Sequence, residues 1–260
     1  RRVLFRSMFA SLMKEMTVSD VLELNRVVER LKQSSELALK IQRIEDMCWG
    51  VISDASWANA RGGKTQGGHM LVTFDRSMLD GHRAVCNLLH WKSGKLHRTV
   101  NSTLAAETQS LARGIGDLLW MMVMYFEITI PDFQLRDWRK HIHRSGYTAF
   151  SKNEEEQMAD ALALVDAKSL YDLLAHETSG GNDRRTALDV QMLREELSEL
   201  HGRIRWIDHV HMPADCLTKR SGRIDSLLEM LRTGKFGITE ESATLENRLE
   251  TRRQTGYNRR

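Results

Sequence analysis

The chain has 260 residues, 41% of them hydrophobic, and a formal net charge of +3, so one sizeable core is expected and any nucleic-acid site must rest on local clustering of basic groups. No apolar run reaches the roughly 18 residues that a membrane span needs, and no secretory signal opens the chain. Three scattered cysteines, Cys48, Cys86 and Cys216, form no CxxC pair, so neither a zinc knuckle nor a disulfide framework is supported, and a reducing, intracellular compartment is expected.

Residues 1–7, RRVLFRS, look like the translation of a sequencing-adapter oligonucleotide, with a genuine basic N-terminus as the alternative; they are set aside from the fold. Residues 18–41 predict a helix, because Val21, Leu22, Leu24, Val27, Val28 and Leu31 recur at helical spacing. Three short apolar runs follow: CWGVIS (48–53) ending at Asp54, GGHMLVTF (67–74) and AVCNLLHW (84–91). Turn-rich joints between them, Gly62-Gly63 among these, predict an antiparallel meander. A long helix is expected over 103–126, with Ser102 as its N-cap.

Residues 127–160 give no clear period and read as an irregular insertion. ALALV (161–165) predicts a strand ending in Asp166, followed by a helix through Leu174. A charged helix over 184–200, a strand over 204–210 (IRWIDHV) and a last helix opened by Pro213 complete the order, and the charged residues from 236 to the end read as a solvated tail. The expected fold is therefore α/β: a five-stranded mixed sheet, three antiparallel strands then two parallel ones, flanked by helices.

Four carboxylates stand where burial is costly. Asp54 ends an apolar strand on the same side as Gly50 and Ile52, and Asp166 ends another on the side of Leu162 and Leu164. Glu107 lies on the apolar stripe of the long helix, three residues after Leu104 and four before Leu111. Asp215 follows the final strand at a helix start. Singly, each has an ordinary structural explanation: a cap for Asp166, a helix-start preference for Asp215, a turn for Asp54, a local bond for Glu107. Together they can converge on one sheet edge. Carboxylates so crowded repel, and hard divalent cations such as Mg²⁺ or Mn²⁺ remove that cost.

The motifs resemble the ribonuclease H domain of copia-type LTR retrotransposon polyproteins. SDASWAN (53–59), WKS (91–93), STLAAET (102–108), VDAKSL (165–170), RRTALDV (184–190) and PADCLTK (213–219) stand in that family's order. The chain departs from the pattern where Ala167 replaces Asn and where Ala187-Leu188 replace Lys-His. The resemblance implies a ribonuclease H-like domain over 45–235, with 8–44 connecting it to an upstream reverse transcriptase region of the same polyprotein. It implies that Asp54, Glu107, Asp166 and Asp215 hold two Mg²⁺ ions and that the RNA strand of an RNA–DNA hybrid is hydrolysed. His209 or His211 would assist as a base, and Lys92, Lys95, Arg98 and Lys219 would contact phosphates. Such a polyprotein would act in the cytoplasm or nucleus. A related nuclease of the same fold and a copy that binds nucleic acid without cutting are the rival readings.

Overall fold

The computed structural model describes residues 16–33, 35–60, 63–142, 161–176, 183–219 and 222–238. The adapter-like residues 1–7, residues 143–160 of the expected insertion and the tail from 239 lie outside them.

Six strands form one sheet in the order β5-β4-β1-β2-β3-β6. They are β1 (Met47–Ala60), β2 (Lys64–Asp75), β3 (Ala84–Lys95), β4 (Ala161–Val165), β5 (Arg203–Trp206) and β6 (Lys235–Phe236). The meander β1-β2-β3 is antiparallel, and β4 and β5 add parallel to β1. The sixth strand corrects the expected five. It pairs antiparallel with Ala84 and Val85 at the far edge, and two residues are too few to show alternation in sequence. Phe236 and Ile238 are buried, so the core continues past residue 235.

The meander strands run longer than their apolar runs, and β1 carries Asp54 in its interior rather than at its end. By contrast β5 stops at Trp206, well short of Val210. There the Asp208 carboxylate accepts the Val210 N–H at 3.0 Å and its carbonyl accepts the His211 N–H at 2.8 Å, which turns the chain.

Side-chain alternation divides the sheet into two faces. On one, Cys48, Ile52, Met70, Val72, Phe74, Leu162 and Leu164 pack against Met212, Leu217 and Met230. These come from α6 (Asp215–Thr218), α7 (Asp225–Thr233) and the turn before them. On the other, Trp49, Val51, Leu71, Ala163 and Val165 meet Leu111, Ile115, Leu118 and Met122 of α2 (Thr103–Thr129). Leu170 of α4 (Lys168–Ala175) and Val190 and Leu193 of α5 (Arg184–Glu199) extend that layer. Each Val, Leu, Ile, Phe or Met among them, fully buried, is worth about 1.5–3 kcal/mol. Ser102 caps α2 as expected, accepting the Ala105 N–H at 3.1 Å.

The first helix, α1 (Val18–Gln33), ends eight residues short of Ile41. Gln42 instead ties this segment to β3 and to the residue before β6: its N donates to Asn87 Oδ1 at 2.8 Å and its Nε2 to the Gly234 carbonyl at 2.9 Å. Within the expected insertion, α2 runs on to Thr129 and a short helix, α3 (Trp138–Ile142), follows.

Candidate active site and metal centre

The parallel register sets Ile52 beside Leu164 and Ser53 beside Val165. The next residues on that face, Asp54 and Asp166, therefore emerge together where β4 ends. Asp215, the first residue of α6, approaches from the segment that follows β5. One carboxylate oxygen from each of Asp54, Asp166 and Asp215 lies within 4.8 Å of the others. Glu107 comes in from the first turns of α2, and its carboxylate accepts the Ala55 N–H.

Close packing fixes these positions. A Cβ on Gly68, which faces Asp54 across the β1–β2 pair, would lie 2.7 Å from Leu217 Cβ, so only glycine lets α6 come down on β2. A Cβ on Gly222 would lie 2.4 Å from the Asp215 carbonyl oxygen. Ser110, one helical turn beyond Glu107, donates to the Asp54 carbonyl at 2.9 Å and accepts the Gly68 N–H at 3.2 Å, tying α2 to both strands.

The electrostatics are those of crowded acids. Burial first, and then Asp166, push the Asp54 carboxyl up to about 7, against the opposing pull of Lys219 and the Thr218 hydroxyl. Burial, then Asp54 and Asp166, hold Glu107 well above the usual carboxylate range. Burial also raises Asp166, with Asp215 adding to it while Lys219 and His209 oppose. Thr218 Oγ1 donates to Asp54 Oδ2, and Arg223 N donates to Asp215 Oδ2 at 2.9 Å. Glu107 Oε2 is buried and has no hydrogen-bond partner among the described residues.

That orphaned oxygen, the hard-oxygen donor set and the mutual repulsion all fit a divalent cation of the Mg²⁺ or Mn²⁺ kind. Lys219 supplies positive charge to the cluster. Its ammonium bonds Asp54 Oδ1 at 3.2 Å and Asp215 Oδ1. Burial works against that charge, but Asp54, Asp215 and Asp166 outweigh it and raise the Lys219 ammonium above its ordinary range.

The residues expected at phosphates are placed differently from one another. Lys219 points into the acids. Lys92 Nζ donates to Asp117 Oδ2 at 2.9 Å, and Arg98 pairs with Asp189 at 2.5 Å. Lys95 is half-buried, and its carbonyl accepts from Arg113 at 3.2 Å. Of the two histidines, His209 acts on Asp166 and bonds Asp208 at 2.8 Å, whereas His211 lines a separate cavity with Arg83, Glu229 and Lys235. Sequence reading missed Thr218 and Ser110. The signals available for them were spacing alone: Thr218 three residues after Asp215, and Ser110 three after Glu107.

The chain matches no family profile, and no curated protein matches it. Solved structures do match. The N-terminal RNase H domain of a Mycobacterium tuberculosis protein, fused to maltose-binding protein, is 12% identical, with 72% of this chain and 96% of that one covered and a TM-score of 0.38. LC11-RNase H1 in complex with RNA/DNA hybrid is 14% identical, covering 65% and 92%, with a TM-score of 0.40. A foamy viral protease–reverse transcriptase in complex with RNA/DNA hybrid is 8% identical, covering 66% of this chain and 19% of that one, with a TM-score of 0.35. At these identities and scores, the assignment of function is left to the site.

Proposed function

We propose that this chain is the ribonuclease H domain of a copia-type retrotransposon polyprotein, hydrolysing the RNA strand of RNA–DNA hybrids. The observation that carries the reading is the convergence of Asp54, Glu107, Asp166 and Asp215 from two strands and two helices onto one sheet edge, three of them within 4.8 Å. The motif order in the sequence supports the copia-type context and the link to an upstream reverse transcriptase region.

In this reading the four carboxylates would hold two Mg²⁺ ions, and the chemistry these would supply is activation of water and stabilisation of the departing 3′ oxygen. The chain's own residues set up that chemistry. Thr218 and Ser110 fix Asp54 through its carboxylate and its backbone. The Arg223 N–H orients Asp215. Lys219 supplies a positive charge that offsets the acids. His209, beside Asp166, is the better placed of the two histidines to carry a proton.

A hybrid-binding domain that no longer cuts is the competing reading, and the ion pairs of Lys219 with Asp54 and Asp215 favour it. One assay separates the two. With a labelled RNA–DNA hybrid and Mg²⁺, the parent chain should cut the RNA strand, and Asp54→Asn, Glu107→Gln and Asp166→Asn should each abolish cutting while remaining folded. Asp215→Asn should be milder, because its second oxygen is already held by the Arg223 N–H. A parent chain that binds the hybrid but leaves it intact establishes the competing reading.

A further inference from the structure

On the α2 face of the sheet a second set of metal-ligating side chains converges. His69 comes from β2, His90 from β3 and Asp117 from α2. Asp117 stands ten residues past Glu107, about 15 Å along the helix axis. One ligand atom of each residue lies within 4.8 Å of the other two. His69 Nε2 and Asp117 Oδ2 are 2.9 Å apart. The two imidazole centroids are 6.3 Å apart, with the rings tilted by 42°.

We propose that His69, His90 and Asp117 form a site for a zinc-class ion, with a fourth position open to water. Around a tetrahedral zinc ion with bonds of about 2.0–2.1 Å, ligand atoms sit about 3.3 Å apart. The His69–Asp117 pair is already near that spacing, and the half-buried His90 has room to close on it. Two imidazoles and one carboxylate suit zinc or its neighbours in the transition series and are poor ligands for Mg²⁺. The site is therefore chemically distinct from the all-oxygen acid cluster.

The framework is rigid. A Cβ on Gly114 would lie 2.6 Å from Val51 Cγ2 and 3.3 Å from His69 Cβ, so the absence of a side chain there seats α2 directly over His69. The position also already attracts a cation. Lys92 Nζ rests 2.9 Å from Asp117 Oδ2, and because its side chain is 53% exposed it moves into water when a divalent ion takes the carboxylate. Bound zinc would fasten α2, and with it Glu107, to β2 and β3.

The test uses the full chain, stripped with chelator and then saturated with Mg²⁺ to fill the acid cluster. Titration with Zn²⁺ should show one tight equivalent and raise Tm, and Co²⁺ should give the visible absorption of a four-coordinate ion. His90→Ala and Asp117→Asn, both at partly exposed positions, should weaken Zn²⁺ binding about a hundredfold or more and remove the Co²⁺ band. Asp54→Asn should keep both. Lys92→Ala, which removes the competing ammonium, should bind Zn²⁺ more tightly and keeps the test open should another variant fail to fold. No Zn²⁺ binding, binding that survives His90→Ala and Asp117→Asn, binding lost with Asp54→Asn, or binding that Lys92→Ala leaves unchanged or weakens would each overturn the proposal.

Discussion

Asp54 has no exposed surface, and burial followed by the charge of Asp166 holds its carboxyl up to about 7 from an ordinary value of 3.8. Between those values the folded chain keeps a proton that the unfolded chain has already lost. This residue therefore lowers stability as pH rises through that window. Asp54→Asn removes the effect. In chelator, the variant should gain on the parent between pH 4 and pH 8 by a few kcal/mol, and Mg²⁺ should reverse the order. Urea unfolding at both pH values, with and without Mg²⁺, checks this; a difference independent of pH would mean that Asp54 is already ionised in the folded chain. The four acids were legible in the sequence because a carboxylate at the end or on the stripe of an apolar element conflicts with its surroundings. Thr218 and Ser110 were not, because a hydroxyl conflicts with neither a core nor a surface.

At the scale of elements, the site depends on how closely α6 approaches β2. Gly68→Ala places a methyl 2.7 Å from Leu217 Cβ and 3.0 Å from Thr218 Cγ2. We expect a loss of about 1–3 kcal/mol from overpacking, with cleavage falling more steeply than stability because Thr218 and Lys219 move away from Asp54. Gly94→Ala in β3 is the control, since nothing lies within 4 Å of the added methyl. Thermal melts and cleavage rates of the two variants check the contrast. Element existence was largely readable from periodicity, and β4 matched its apolar run at both ends. Lengths were not. The sequence pattern carries α1 to Ile41, but Gln42 bonds Asn87 and Gly234, partners remote in sequence. The single helix expected after Pro213 is two, α6 and α7, with the Arg223 N–H turned back onto Asp215 between them.

Across the whole molecule, the basic residues expected at phosphates differ in how firmly they are held. Arg98 is paired with Asp189, and Lys92 with Asp117. On the proposed function, replacing Lys95 with Ala should weaken hybrid binding and lower the slope of log affinity against log salt by about one for the lost phosphate contact. Lys92→Ala and Arg98→Ala should change the slope less, because their pairs with Asp117 and Asp189 must break before a phosphate can take the place of the carboxylate. Binding titrations over a range of salt concentrations measure this, and an unchanged slope for Lys95→Ala would move the hybrid to another surface.

Local chemistry in the sequence determined where the longer strands and helices lie, that the sheet is mixed, and which carboxylates stand out, since these follow from side-chain period and from the cost of burying charge. Register, approach and pairing were decided only by the tertiary structure. The parallel pairing of β1 with β4 sets Asp54 beside Asp166, Gly68 admits α6, and Lys219 turns inward to the acids rather than outward to a phosphate. The juxtaposition of His69, His90 and Asp117 has no counterpart in sequence spacing. It exists because a meander and a long helix bring three separate elements to one point, which is a property of packing across the sheet and not of any single element.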